Sequence, residues 1–332
     1  MTKEDITRKF REFNQKNILI IGDIMLDAYL IGTVDRISPE APIPIVSVAD
    51  REYRLGGAAN VALNIKALGA NPIVCSVIGN DESGDKLFNI FRDNSLDTSG
   101  IYTSSNRKTT RKSRIISSNQ HLLRVDEEIT SPLNVSDEKT LKQTIYKIIA
   151  DKNIHAVVFQ DYDKGVITKS IIEGTIDRSI SLNIPVFVDP KRNNFFQYKN
   201  STVFKPNFKE FIEAMGIITS KTPEELLIKT AKKFIKENKI EHLLLTLSEE
   251  GILIVNKTNH QHLPAEKRDI TDVSGAGDTV ISTATLCHIS GFLPADTALI
   301  SNLAGGIVCE KPGVVTISKE KLLSESINHL VQ

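Results

Sequence analysis

The stretch Asp272-Val273-Ser274-Gly275-Ala276-Gly277-Asp278-Thr279 sets three residues with little or no side chain directly before a carboxylate. Gly275, Ala276 and Gly277 let backbone N–H groups approach an anion closely, with the positive end of a following helix behind them. That helix is read from the apolar residues Val280, Ile281, Ala284, Leu286 and Cys287 and from a stop at Gly291. Such a cradle beside Asp278 suits phosphoryl transfer to a hydroxyl: the N–H groups hold the migrating charge and the carboxylate accepts the hydroxyl proton. The helix terminus is expected to lower the Asp278 pKa. An ordinary Gly-rich helix start, with an acidic residue that merely complements the macrodipole, has the same sequence, so other residues must decide.

Four further groups could do chemistry. Gly56-Gly57-Ala58-Ala59-Asn60 opens a helix where a substrate could lie against bare backbone, and Asn60 offers both donor and acceptor to sugar hydroxyls; tight helix–sheet packing would need the same glycines. Asp23 and Asp27 follow the first strand, and a carboxylate there can accept two neighbouring hydroxyls; Asp27 is the expected ligand and Asp23 equally suits a turn or cap. Asn207 and Glu210 in Lys205-Pro206-Asn207-Phe208-Lys209-Glu210 fit a capping box, and Glu210 also fits a carboxylate holding the waters of a hydrated Mg²⁺ near nucleotide phosphates. Lys191, in Val188-Asp189-Pro190-Lys191, closes a strand beside the same edge and is a candidate phosphate ligand.

These residues need a scaffold that brings distant segments to one edge. Apolar runs at 18–21, 73–78, 156–159, 186–188, 203–204 and 243–247 alternate with amphipathic segments near 58–68, 81–94, 137–150, 168–182, 208–215 and 223–237. Strands apolar throughout, alternating with helices, predict an α/β, doubly wound, mostly parallel sheet covered on both faces. Segments 29–48 and 101–125, β-branched at rough period two, break the alternation and predict a small β-sheet lid over the carboxyl ends of the main strands. Residues 1–332 are expected to form a single domain, since no linker or repeat divides them.

Composition narrows the class. With 332 residues, 40% hydrophobic and 25% charged, the chain can bury a large core, and 41 basic residues balance 41 acidic ones, which argues against a general nucleic-acid binder. Cys75, Cys287 and Cys309 lie apart in apolar runs, without metal-ligand spacing. No segment reads as a signal peptide or membrane span, and a cytoplasmic location is expected.

In this order, the early glycine pair, the central N-x-x-E and the terminal D-x-S-G-A-G-D resemble the ribokinase (PfkB) family of carbohydrate kinases over nearly the whole chain. Within it the chain looks most like the D-glycero-β-D-manno-heptose 7-phosphate kinases, on Gly22-Asp23-Ile24-Met25-Leu26-Asp27, Arg36-Ile37-Ser38-Pro39-Glu40-Ala41-Pro42, Arg54-Leu55-Gly56-Gly57, Asn119-Gln120, Leu123-Arg124-Val125-Asp126, Asp161-Tyr162-Asp163-Lys164-Gly165 and Val188-Asp189-Pro190-Lys191. Ala28, Ser118 and Leu247 depart from the pattern, each standing where arginine is common.

The resemblance implies a ribokinase-like fold, ATP and Mg²⁺, and transfer to the anomeric C1 hydroxyl of heptose 7-phosphate, yielding the 1,7-bisphosphate for lipopolysaccharide precursors. It also implies a homodimer clasped through the lids, and Thr246, Ser248, Gly251 and Asn302 about the adenine. Without an HxGH motif in the chain, the adenylyltransferase and the phosphatase of such a pathway are expected to be separate proteins. Asn119 is expected at the sugar, and a substrate that already carries phosphate needs cations, for which Arg114, Arg124, Lys164 and Lys191 are the candidates. Arg107, Lys108, Arg111 and Lys112 are expected to form a solvated lid face, because so many charges in one run cannot converge on one phosphate. Two other readings stay open: a ribokinase-family kinase for another sugar or sugar phosphate, and a non-catalytic sugar-phosphate sensor.

Overall fold

The computed structural model describes residues 1–118, 120–217 and 223–331. Strand β1 (Asn17–Gly22) is apolar on both faces because both faces are covered. Ile18 and Ile20 join one core cluster with helices Lys3–Glu12, Ala58–Ala67, Ala276–Ile289 and Pro294–Cys309, while Leu19 and Ile21 join a second cluster with helices Val135–Asp151, Lys169–Ser181, Phe208–Ala214 and Glu224–Asn238. The two-residue period of a strand thus feeds two separate cores.

The remaining strands are β2 (Ile24–Ile37), β3 (Pro44–Gly57), β4 (Asn71–Gly79), β5 (Ile101–Ser104), β6 (Arg111–Ser117), β7 (Gln120–Glu127), β8 (Ala156–Gln160), β9 (Val186–Asp189), β10 (Val203–Phe204), β11 (His242–Thr246), β12 (Ile252–Val255) and β13 (His260–Leu263). Among the described residues the main sheet has nine strands in the order β13-β12-β11-β10-β9-β8-β1-β4-β5, parallel from β11 to β5, with β12 and β13 added antiparallel. Strand order reverses about β1, so the carboxyl ends of β1 and β8 flank the crevice where such sheets bind ligands.

A second sheet, β3-β2-β6-β7, rises from this edge. Its strand β2 begins two residues after β1 ends, and β3 returns into helix Ala58–Ala67 through Gly57, whose φ of 62° puts it in the left-handed region. A side chain at Gly57 would stand 2.3 Å from the Asp23 carbonyl oxygen, so this root of the lid requires glycine.

The lid differs from its expected bounds. Pairing runs from Ile24 to Gly57 rather than over 29–48, because the buried start of β2 has the sequence of a core strand. Residues 101–104 belong to the edge of the main sheet, pairing with β4, so the second lid segment starts at Arg111.

Register puts Asp27 beside Arg54 and Lys112, Tyr29 beside Arg114, and Arg114 beside Arg124, all on one lid face. Ala28 is buried on the opposite face, so an arginine there would not have shared a face with Asp27.

Candidate active site

Asp278 lies in the first turn of helix Ala276–Ile289, whose N-cap Gly275 has φ 80°. A Gly275 side chain would stand 2.9 Å from Asn60 Nδ2. The glycine therefore lets two helix starts meet, and Asn60 Nδ2 donates to Asp278 Oδ2 at 2.7 Å. Two more donors reach the carboxylate from the end of β8 and the loop after it: Gln160 Nε2 at 3.1 Å and the Tyr162 hydroxyl at 2.8 Å, both to Oδ1.

Burial raises the Asp278 pKa to about 6, against the lowering effect of the Asn60 and Tyr162 hydrogen bonds. The sequence-based expectation of a lowered value is thereby corrected. A helix terminus offers a modest stabilisation of charge, and here desolvation outweighs it.

Next to Asp278 the cradle opens onto a buried ion pair, Lys205 with Asp189 at 3.0 Å. The position a Gly277 side chain would take is 3.5 Å from the Lys205 ammonium. Gln160 Nε2 also donates to Asp189 Oδ2 at 3.1 Å and so bridges the two carboxylates. Lys205 brings a buried cation where sequence reasoning saw only a capping motif; its signal was a lysine directly after an apolar strand, at the sheet's carboxyl edge.

Asp23 accepts N–H groups from Tyr162, Lys164 and Val166, and burial with a nearby Asp161 pushes its pKa up to about 6. It is the clamp that holds the loop after β8. Asp27 is buried in a 2.5 Å ion pair with Arg114. Gly56 is required here, since a side chain would fall 2.2 Å from Asp27 Oδ2.

The cations divide. Arg124 pairs with Asp126 at 2.9 Å and is mostly exposed, while Lys164 pairs with Glu128 at 2.8 Å. Lys191 pairs with Glu210 and lies 5.7 Å from the centre of the Tyr162 ring.

The four lid cations were expected to be solvated; Lys108 is exposed, Arg111 is half-buried and pairs with Glu127, and the other two are otherwise employed. Arg107 donates to the carbonyls of Ile129, Ser131 and Lys164. Lys112 is half-buried over the Tyr162 ring and makes no ion pair among the described residues. Burial first, then the Lys164 charge, lowers its pKa. The clue was parity: Lys112 and Arg114 are two apart on one strand. Asn119 lies outside the described residues.

Asn207 and Glu210 form a full capping box, with Asn207 Oδ1 accepting the Glu210 N–H at 2.8 Å and Glu210 Oε2 accepting the Asn207 N–H at 2.9 Å. Beyond Gly277 a cleft of about 660 Å³ runs between Thr246, Ser248 and Gly251 on one side and Asn302, Gly305 and Gly306 on the other, with Ile252, Val280 and Leu303 as apolar wall. Asn302 Nδ2 donates to the Pro264 carbonyl at 2.9 Å, so its amide fastens the 264–275 segment. That segment is held further by Arg268, which reaches Glu266 and Glu310 at 2.6 Å each and also pairs with Glu325.

A flat apolar cleft leading to an N–H cradle with a buried lysine fits a nucleoside triphosphate. Among the described residues no group of three or more His, Cys, Asp or Glu side chains can hold a metal directly. Glu210 fits a role through water, with Mg²⁺ carried by phosphates. Nor, among the described residues, is any helix long and apolar enough to cross a membrane.

Comparison with known proteins agrees with this geometry. Residues 15–321 match the pfkB family carbohydrate kinases. The bifunctional protein HldE of Pelobacter propionicus is 35% identical over 325 residues, covering 98% of this chain and 66% of that protein. HldE of Nitratiruptor sp. is 39% identical over 305 residues, covering 92% and 64%. The chain thus spans about two thirds of the length of these curated relatives. Among solved structures, phosphofructokinase-2 from Escherichia coli in complex with potassium superposes with TM-score 0.77 at 17% identity, over 96% of this chain and 99% of that one. Ribokinase of Arabidopsis thaliana complexed with ribose and ATP gives 0.71 at 15% identity, over 93% and 98%. These two likenesses establish a ribokinase-like fold, and the match over 15–321 establishes more: the chain belongs to the pfkB family of carbohydrate kinases and is a sugar kinase, a phosphotransferase with an alcohol group as acceptor.

Proposed function

We propose that this kinase transfers the γ-phosphoryl group of ATP to the C1 hydroxyl of D-glycero-D-manno-heptose 7-phosphate, giving the 1,7-bisphosphate used for ADP-heptose and lipopolysaccharide precursors. The observation that carries the phosphorylated substrate is Lys112, a half-buried ammonium without an ion pair among the described residues, with Lys164 as a second cation beside it and Arg114 on the same strand face. An ammonium partly removed from water favours an anion, and a sugar phosphate would supply one. The subgroup motifs and the HldE relatives favour a heptose.

In this reading Asp27, fixed by Arg114, accepts sugar hydroxyls; Asp278 takes the C1 proton; and the N–H groups of Gly275, Ala276 and Gly277, with Lys205, hold the charge on the transferred group. A loose transition state leaves positioning and electrostatics as the protein's main contribution. Mg²⁺, when bound, neutralises charge on the nucleotide phosphates, and Glu210 would hold its waters. The lid sheet would form a homodimer contact, as the family resemblance implies, and the single domain would span 1–332.

ADP release with heptose 7-phosphate, fructose 6-phosphate, fructose 1-phosphate and ribose tests the substrate. The expected result is the highest kcat/KM for heptose 7-phosphate; a higher value for another sugar sinks the assignment. Replacing Lys112 with Met should raise KM for the phosphorylated sugar about tenfold or more while leaving KM for ATP alone, the loss expected for a charge-assisted contact. An unchanged sugar KM would remove Lys112 from the phosphate site.

A further inference from the structure

The two oxygens of Asp278 are not equivalent. Among the described residues, Oδ1 accepts from both Tyr162 and Gln160, whereas Oδ2 accepts from Asn60 alone. A carboxylate oxygen takes about two hydrogen bonds, so Oδ1 is saturated and Oδ2 keeps an open lone pair. Both donors to Oδ1 are themselves fixed. Gln160 is buried with its nitrogen facing two carboxylates, which sets the orientation of its amide. Tyr162 has its backbone N–H on Asp23 at 2.8 Å and the ammonium groups of Lys112 and Lys191 at 5.8 and 5.7 Å from its ring centre.

We infer that Tyr162 is a positioning residue for proton transfer: with Gln160 it pins Oδ1, so that Oδ2 is the atom that receives the proton of the sugar hydroxyl. The inference rests on the reading of Asp278 as base. In the step, the sugar O–H bond breaks with its proton passing to Oδ2, the sugar oxygen bonds to the γ-phosphorus, and the bond from that phosphorus to the bridging oxygen breaks as ADP leaves. Because Lys112 belongs to the lid, the same ring also joins the lid to the base.

The charged and titratable groups facing this carboxylate are Asp189 and Lys191 from the end of β9 and beyond, Lys205 after β10, and Tyr162 after β8; helix Ala58–Ala67 offers only the neutral Asn60. Removing the Tyr162 hydroxyl alone leaves the others in place and takes away a donor that favours the ionised form. In Tyr162→Phe, kcat should fall about tenfold with KM for ATP unchanged, and the acid limb of the kcat/KM profile should move up by about one pH unit, as expected for losing a hydrogen bond to a charge.

A merely structural tyrosine would lower the melting temperature or change both KM values without moving that limb. Wild-type kcat and an unmoved limb overturn the inference. Should Tyr162→Phe fail to fold, Gln160→Met, which removes the other donor to Oδ1, is expected to move the limb in the same direction, and its failure to do so is equally fatal. Asp278→Asn separates the two levels: if it keeps its turnover, the base assignment fails; if it is inactive while Tyr162→Phe behaves as wild type, only the role of Tyr162 fails.

Discussion

As the proposed base, Asp278 answers two demands that oppose each other, since a base must be ionised at working pH yet sit where water is excluded. Burial wins over its hydrogen bonds and brings the pKa to about 6. Activity should therefore climb as pH rises through about 6 and level above it. Asp278→Asn should lower kcat by about 10² to 10⁴ with both KM values nearly kept, the usual range for general-base assistance; coupled ADP release measures this. The linkage has a definite sign. A carboxyl whose folded pKa is raised above 3.8 contributes stability when protonated, present in full below 3.8 and lost as pH rises through about 6. The melting temperature of Asp278→Asn relative to wild type should thus be higher at pH 7.5 than at pH 4.5, and a flat difference would contradict the raised value. In the sequence the GAGD turn was legible only together with the other motifs, because an ordinary Gly-rich helix start has the same residues. Gln160 and Tyr162 were not, because only the pairing of β8 with β1 and β9 brings them to Asp278.

At the scale of elements, the main sheet was readable from apolar runs because a strand covered on both faces admits few polar residues. The same logic misled at the lid root, where Ile24, Met25 and Leu26 are buried and carry a core strand's sequence although they open the second sheet. At Ile101–Ser104 the error ran the other way: an edge strand is half-exposed and reads like a lid strand. Strand β12, Ile-Leu-Ile-Val and buried throughout, carries a core strand's sequence that the reading of apolar runs passed over, whereas β13 gave little signal, since His260, Gln261 and His262 are polar and exposed. Gly57 is the point at which both sheets depend on one residue. Gly57→Ala would combine a left-handed φ of 62° with a contact to the Asp23 carbonyl at 2.3 Å. We expect a loss of about 2 kcal/mol or more in urea unfolding, from backbone strain and overpacking together. A variant as stable as wild type would show that this corner can relax.

At the scale of the molecule, two half-buried imidazoles lie between the main sheet and helix Ala276–Ile289: His242 at the start of β11 and His288, with ring centres 6.2 Å apart. Burial holds both below the ordinary histidine pKa of 6.5, and His242 also lowers that of His288. Folded-state values below the unfolded ones give stability that is present above about 6.5 and lost as pH falls below it. In His242→Phe the drop in melting temperature between pH 7.5 and 5.5 should be smaller than in wild type; an equal drop would place the acid sensitivity elsewhere.

Arg268 carries the longest consequence. Its guanidinium ties the 264–275 wall of the cleft to Glu310 at the end of one helix and to Glu325 on the helix Lys319–Leu330, where His329 also lies 2.5 Å from Glu266. Trimming that last helix, with no atom near the reacting phosphorus, should therefore loosen the grip on ATP and raise its KM while sparing sugar affinity. The helix Lys319–Leu330 would act as a buttress, and its erosion would register first as hunger for nucleotide.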